Sequence, residues 1–313
     1  MNCPKCKKNC SKHGKTRDGQ QRYRCRQCKL TISEPKPLAG SQVDLKQASM
    51  ALRMLLEGMS MRATSRLTGM DKNTIQRLME KAGNQCLKFM RENMTSIAAS
   101  DIQCDEVWSF CQMKEKTAEA KGKPENAGDA YTFTAIDRQT KLLITFHIGK
   151  RCPADAEEFA DKLAACVTGR PQISTDGYPS YRFVIPDAFN YNVDHGVVVK
   201  KFGNATGSVA GRYSPAAIIG VKVSRNCGEP VERNICTSHV ERHNLTIRMQ
   251  NRRFTRLTNA FSKKLENHVA MFALFAAWYN FVRPHATLNT TPAVAAGLTD
   301  HKWTMEELLS QSV

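Results

Sequence analysis

Two sets of residues in this chain are spaced for metal chemistry. Cys3-Pro4-Lys5-Cys6 and Cys25-Arg26-Gln27-Cys28 are C-x2-C pairs separated by eighteen residues. Each pair puts two thiolates on one tight turn, and two such turns complete a tetrahedral zinc site. Cys10 and His13 are spare candidates, but four ligands already close a structural site. A segment this small has little core, so bound zinc would supply most of its folding energy. The second set is acidic. Asp105 lies in an apolar, aromatic run (CDEVWSF), Asp176 ends another (ISTDGYPSY), and Glu241 opens a helical stretch. Three carboxylates brought to one sheet edge can hold two Mg²⁺ ions with a scissile phosphate between them.

The residues after Glu241 make it the preferred third ligand over Glu229 and Glu232. At 100° per residue, Arg248, Arg252 and Arg256 fall within about 80° of Glu241 on one helix face, with Asn244 and Thr255 beside them. Such a face offers a metal ligand at one end and phosphate contacts along its length; a solvated basic face is the plainer alternative. Glu106 should point to the other side of its strand from Asp105 and stay out of the site. His147, His195 and His243 have no spacing that forces a metal role, and polar packing is expected for each.

The elements that must position these residues follow from periodicity. After the cysteine-rich segment, Ser33–Leu38 reads as a Pro-rich linker. Leu45 onward is helical. Met61–Leu67 forms a second helix, Thr68-Gly69-Met70 a turn, and Asp71 the N-cap of a third helix from Lys72. Helix, turn with Gly, capped helix is a helix-turn-helix layout. It presents Lys72, Asn73, Thr74, Gln76 and Arg77 for phosphates and base edges. Strands follow at Ile102–Cys111, Tyr131–Ile136, Leu142–Ile148 and Gln172–Thr175, with a helix over Asp155–Val167. Lys114–Asp129 reads as an exposed connection and Ser180–Phe189 as a helix. Tyr191–Phe202 and Ala216–Val223 read as strands, with a glycine-rich loop, Gly203–Gly211, between them. Long helices are expected over Val240–Lys264 and Leu265–Val282. This is an α/β pattern matching a ribonuclease H-like domain. The implied organisation is a zinc ribbon at 1–38 and a helix-turn-helix domain at 39–100. A catalytic domain spans 101–290, with an apparent insertion at 201–232, and a tail runs over 291–313.

Charge supports a polyanionic partner. The formal net charge is +17. Residues 1–38 carry 11 Lys/Arg against 2 Asp/Glu, 39–100 carry 9 against 5, 101–240 carry 17 against 17, and 241–313 carry 9 against 5. The excess sits at the two ends, beside the binding motifs, which favours nucleic acid. No charged-then-apolar leader opens the chain, and the longest apolar run, Val269–Trp278, is too short to span a bilayer. A cytoplasmic, nucleoid-associated protein is therefore expected, with its twelve cysteines as metal ligands and buried thiols.

The segments CDEVWSF, STDGYPSY, SHVERHNLTIRMQNRRFTRLTNAFSKK and YNFVRPHATL together resemble the insertion-element-one family of bacterial transposases. That family belongs to the DDE transposase and retroviral integrase group. The N-terminal cysteine pairs and helical segment are similar to that family's too, so the resemblance covers nearly the whole chain. It implies a catalytic triad of Asp105, Asp176 and Glu241 using Mg²⁺, which Mn²⁺ can replace, and a basic residue at Arg248. The stretch Tyr279-Asn280 to Arg283-Pro284-His285 is similar to a C-terminal signature of related transposases, with a role in DNA or helix-end contacts. The resemblance implies binding of terminal inverted repeats in double-stranded DNA, strand cleavage, strand transfer to target DNA, and a homo-oligomer of two or more chains. The 64 residues between Asp176 and Glu241 exceed the spacing of many relatives. A rival reading is a non-catalytic DNA-binding regulator derived from a transposase. All three carboxylates are present, which favours the enzyme.

Overall fold

The computed structural model describes residues 1–16, 21–33, 38, 41–122, 126–203, 217–256 and 258–311. Residues 34–37 of the expected linker, 204–211 of the expected glycine-rich loop, and part of the expected insertion lie outside the described residues.

The first 33 residues form a small three-stranded antiparallel sheet of β1 (Ser11–Lys15), β2 (Gln21–Arg24) and β3 (Thr31–Ser33). Its interior is nearly all sulfur: Cys3, Cys10 and Cys25 are buried, with Cys6, Tyr23, Cys28 and Ile32 packed against them.

Three helices follow, each started by a side-chain cap. Asp44 accepts from the amides of Lys46 and Gln47 at the head of α1 (Leu45–Leu56). Ser60 caps α2 (Met61–Thr68), which Gly69 ends at φ 70°. Asp71 Oδ1 accepts from Asn73 N at 2.8 Å and starts α3 (Lys72–Asn93). The starts at Leu45, Met61 and Lys72 are those expected from capping and periodicity; the helical run expected to end at Leu87 continues to Asn93. The sequence did not reveal how α3 is used. Its first half packs on α1 and α2, and its second half lies against α8 (Leu265–Phe281). At that crossing a Cβ on Gly83 would overlap the Ala270 carbonyl, so only glycine permits the approach. The helices and the sheet body therefore share one continuous core, from Leu52 and Ile75 through Ile102 and Phe133 to Phe275.

The body is mixed α/β around a six-stranded sheet of β4 (Asp101–Cys111), β5 (Gly128–Asp137), β6 (Leu143–Gly149), β7 (Gln172–Thr175), β8 (Asp194–Phe202) and β9 (Ile218–Cys227). The strand order is β6-β5-β4-β7-β8-β9. β4 runs antiparallel to β5 and β5 to β6, while β4, β7 and β8 are parallel. This order is compatible with a ribonuclease H-like fold. β9 adds an antiparallel edge strand beside β8. The polar stretch after β4 is not wholly irregular: it contains α4 (Glu115–Ala120), anchored by buried Ala118. The parallel crossover between β6 and β7 is α5 (Pro153–Cys166), and α6 (Tyr181–Ala188) links β7 to β8.

The expected long helix over Val240–Lys264 is instead α7 (Ser238–Gln250), followed by a 3-10 turn at Arg252–Phe254. Asn251 is the breaker. Its backbone is extended, and its side chain accepts from Arg253 N at 3.2 Å. Phe254 then dives into the core against His268 and Phe272. Arg252 and Arg256 are therefore not on the same helical face as Glu241 and Arg248. Burial of the Phe254 ring against His268 and Phe272 outweighs the helical periodicity of the segment.

Helix α8 is buried on nearly every side. No helix among the described residues is long and apolar enough to cross a membrane. The signature residues near its end clamp it to the sheet. Asn280 bonds both Leu143 N and Leu143 O on β6, at 3.0 and 2.9 Å, and Tyr279 donates to Lys141 O at 3.1 Å. The residues expected to form a tail carry α9 (Pro292–Ala295) and α10 (Met305–Gln311), and Met305, Leu308 and Leu309 are buried in the common core.

Candidate active site

β4 and β7 are parallel neighbours with Cys104 opposite Thr175. The next residue on each chain is acidic, so Asp105 and Asp176 meet where β7 ends. Beyond that point β4 has lost its neighbour on this side. Glu106, the residue after Asp105, reaches the same open edge. One oxygen each from Asp105, Glu106 and Asp176 lies within 4.8 Å of the others. The expectation that Glu106 stays out of the site is thus corrected. Alternation separates side chains over a continuous sheet, but not over the end of a neighbouring strand.

The trio is electrostatically crowded. Burial pushes Asp105 up to about 7, with Asp176 and then Glu241 adding repulsion. Burial pushes Glu106 up to about 8, again with Asp176 and Asp105 opposing its charge. The Glu106 side chain is only 4% exposed, and its Oε1 has no hydrogen-bond partner. Arg151, from the turn between β6 and α5, partly offsets this charge. It lies 3.6 Å from Glu106 and 3.7 Å from Asp176, with its guanidinium over the Tyr178 ring. A hard-oxygen set with excess negative charge and an unpartnered buried oxygen fits a divalent cation.

Helix α7 is docked on β4 by Gln103, which is fully buried and one turn of the pleat before Asp105. Gln103 Oε1 accepts from His239 N and Val240 N at 2.9 and 3.2 Å, so a strand side chain caps the helix. This fixes the rotation of α7 over the site. Asn244 Nδ2 then donates to Asp105 Oδ2 at 2.7 Å, while Glu106 N donates to Asp105 Oδ1 at 2.8 Å. Asn244 had been expected to contact DNA; it is buried and turned to the carboxylate instead. Glu241, one turn earlier, is 42% exposed and stands apart from the trio. It accepts from Thr237 Oγ1 at 2.6 Å and is ion-paired with Lys200 of β8. Arg248 is half-buried on the same helix; burial and Arg256 work against its charge, and Asp105 favours it. The competitors Glu229 and Glu232 are both paired with Arg225 on β9, at 2.7 and 3.3 Å.

Sequence reasoning missed Glu106, Arg151, Lys200 and Gln103. Only Gln103 left a trace: a large amide in an otherwise apolar strand, on the same face as Asp105. The histidines pack as polar core. His195 bonds Thr175 and Asn226 at 3.0 and 3.1 Å, and burial lowers it to about 4. His147 does sit with Asp155 and Glu158 in a cluster of ligand-type groups, but the Lys162 ammonium lies 2.9 Å from its Nδ1 and supplies the counter-charge.

At the other end of the chain, the thiols of Cys3, Cys6, Cys25 and Cys28 lie within 4.8 Å of one another. Cys28 N donates to Cys25 Sγ at 3.4 Å, and this contact leads the causes that hold the Cys25 thiol down at about 6. Of the α3 residues expected to face DNA, Lys72, Asn73 and Arg77 are exposed, Thr74 is half-buried, and Gln76 is turned back onto Glu80 at 2.9 Å.

No family model matches the chain. Among solved structures it is similar to piggyBac transposase in a cryo-EM synaptic complex with hairpin DNA. The TM-score is 0.37 and the identity 11%, over 85% of this chain and 69% of that one.

Proposed function

We propose that this chain is a DDE-type DNA transposase, which binds the terminal inverted repeats of an insertion sequence and performs metal-dependent strand cleavage and strand transfer. The observation that carries the reading is the meeting of Asp105 and Asp176 at the end of β7, beneath a helix that bears Glu241 and is capped by Gln103. Asp105, Asp176 and Glu241 would hold two Mg²⁺ ions, which would supply activation of the attacking oxygen and stabilisation of the leaving one. Asn244 holds one Asp105 oxygen in place. Without metal, Lys200 is the counter-charge of Glu241 and Arg151 that of Asp176, and a bound cation would take over that role. Arg248 lies on the same helix for the phosphate.

The remaining roles belong to the same proposal. Cys3, Cys6, Cys25 and Cys28 would bind one structural Zn²⁺ and form a zinc ribbon. Helices α1 to α3 would act as a helix-turn-helix, with Lys72, Asn73 and Arg77 reaching DNA, while Arg252 and Arg256 serve phosphates from beyond the end of α7. Two ends must be handled together, so the working form would be a dimer or larger.

The test is strand cleavage and strand transfer on duplex DNA carrying the element's ends, in Mg²⁺ or Mn²⁺. Asp105→Asn, Asp176→Asn and Glu241→Gln should each abolish both steps while end binding survives. Normal cleavage by all three variants would sink the reading.

A further inference from the structure

A second site lies between the helical region and the body. A cleft of about 840 Å³ opens between the α1–α2 turn, the start of α3, and the segment from Asn251 to Lys264. Its walls carry Arg62, Arg252, Arg253, Lys263 and Lys264 and no carboxylate. Among the described residues, no acidic group lies within ion-pair distance of Arg62, Arg252, Arg253 or Lys263; Lys264 alone is paired, with Glu266 at 3.6 Å. The floor is of a different kind. Leu55, Met59, Met61 and Met271 are apolar, and Phe261 stands half-buried at the edge, its ring 4.8 Å from Phe110.

Two asparagines border this space. Asn267 is 6% exposed and its side chain has no hydrogen bond among the described residues. Asn251 is fully buried, and its Nδ2 has no acceptor. The Asn251 amide is sealed from the cleft and shapes its wall, whereas Asn267 is open to it. The wall is held rigidly to the catalytic strand. Arg253 Nη1 donates to Ser262 Oγ at 2.9 Å, Ser262 pairs with His268 Nδ1 at 2.9 Å, and His268 Nε2 meets Ser109 Oγ of β4 at 3.0 Å. Gly58 closes the far side, where a Cβ would overlap the Met249 carbonyl.

We propose that this cleft binds an unpaired stretch of DNA strand, its phosphates on the Arg and Lys wall and a base against the apolar floor within reach of Asn267. Cations tracking a backbone beside an apolar and aromatic platform are the chemistry of single-strand binding, whereas duplex DNA offers no free base to such a floor. The position suits the proposed reaction, on which this inference rests. Asn251 follows the last turn of α7, about 15 Å along the helix from Glu241. Strand separated near the cut could lodge there.

The experiment uses the full-length protein, a fluorescent oligo-deoxythymidylate of about 15 nucleotides, and a blunt duplex of random sequence. Arg62 and Lys263 are exposed and outside the carboxylate site, so Arg62→Ala/Lys263→Ala should fold normally, which unchanged melting and zinc content would verify. The double variant should weaken oligonucleotide binding at least about tenfold and duplex binding less than about twofold. Asn267→Ala should also weaken the oligonucleotide with the same salt slope, because no charge is removed. Unchanged oligonucleotide binding in both variants would overturn the proposal. So would an equal loss for duplex and single strand, which would make the cleft a general counter-charge. Both variants keep the carboxylates, so residual cleavage of a pre-nicked end separates failure of the cleft from failure of the proposed chemistry.

Discussion

Asn244 Nδ2 donates to Asp105 Oδ2 at 2.7 Å, tying the second turn of α7 to a carboxylate of β4. Together with the Gln103 cap, this contact holds Asp105 in one rotamer and orients α7 so that Glu241 can approach. Gln103 bonds the first turn of α7 and Asn244 bonds Asp105. Gln103→Leu should leave two helix N–H groups without an acceptor and cost about 1–3 kcal/mol of stability. Asn244→Ala should lower metal affinity by about 10- to 100-fold, as loss of a ligand's partner does. Titrating activity against Mg²⁺ checks this: the midpoint should move to higher concentration, with partial recovery at saturation. An unshifted midpoint would mean that Asn244 contacts DNA after all.

The third carboxylate is the sharpest question in the site. Glu106 lies within 4.8 Å of Asp105 and Asp176, whereas Glu241 must leave Lys200 to join them. Glu241→Gln should reduce cleavage by more than about 100-fold, a barrier change of roughly 3 kcal/mol. Glu106→Gln should cost less than about tenfold, because burial already disfavours the charged form of Glu106, raising it to about 8. Cleavage rates at saturating Mg²⁺ decide between them. If Glu106→Gln is the dead variant and Glu241→Gln the active one, the helix-based assignment fails while the enzyme class stands.

Most element boundaries could be read from the chain because capping and alternation are local. Asp71 and Gly69 announce the start of α3 and the end of α2, and Gln172–Thr175 reads as a strand in four consecutive residues. Asp105 and Asp176 could be read for the same reason: one lies within a largely buried strand and the other directly follows one. What failed was non-local. The α7 break at Asn251 is enforced by Phe254 finding His268 and Phe272, residues far along the chain. Glu106 joins the cluster because β7 stops opposite Cys104, which alternation within β4 cannot reveal. Arg151 and Lys200 come from a turn and a strand with no motif of their own.

The cysteine cluster should be separable from the rest. Its core is its own, sharing no buried residue with the main one. The full-length chain should bind one zinc through Cys3, Cys6, Cys25 and Cys28, and Cys25→Ser should remove it. Elemental analysis measures the metal, and thermal melting of the body should be unchanged. Zinc retained at full stoichiometry in Cys25→Ser would rule out this ligand set.

The site should also give the metal-free protein a stability maximum in pH. Asp105 and Glu106 titrate near 7 and 8 when folded but near 4 when unfolded, so from about pH 4 to 8 the folded state holds more protons. Stability from these two groups therefore falls as pH rises through that window. Buried histidines act oppositely. Burial holds His195 down at about 4 and His243 and His268 at about 3, against about 6.5 unfolded. The unfolded state then holds more protons below about pH 6.5, and stability falls as pH drops. Between about 4 and 6.5 three histidines outweigh two carboxyls; above about 6.5 only the carboxyls remain. Melting temperature in chelator should thus peak near about pH 6.5 and decline toward pH 8. Saturating Mg²⁺ should flatten the alkaline decline, because a bound cation favours the charged carboxylates. Asp105→Asn/Glu106→Gln should flatten it without metal. A decline that persists unchanged in that double variant would show that the alkaline loss arises elsewhere and that these two carboxyls are not the crowded pair described.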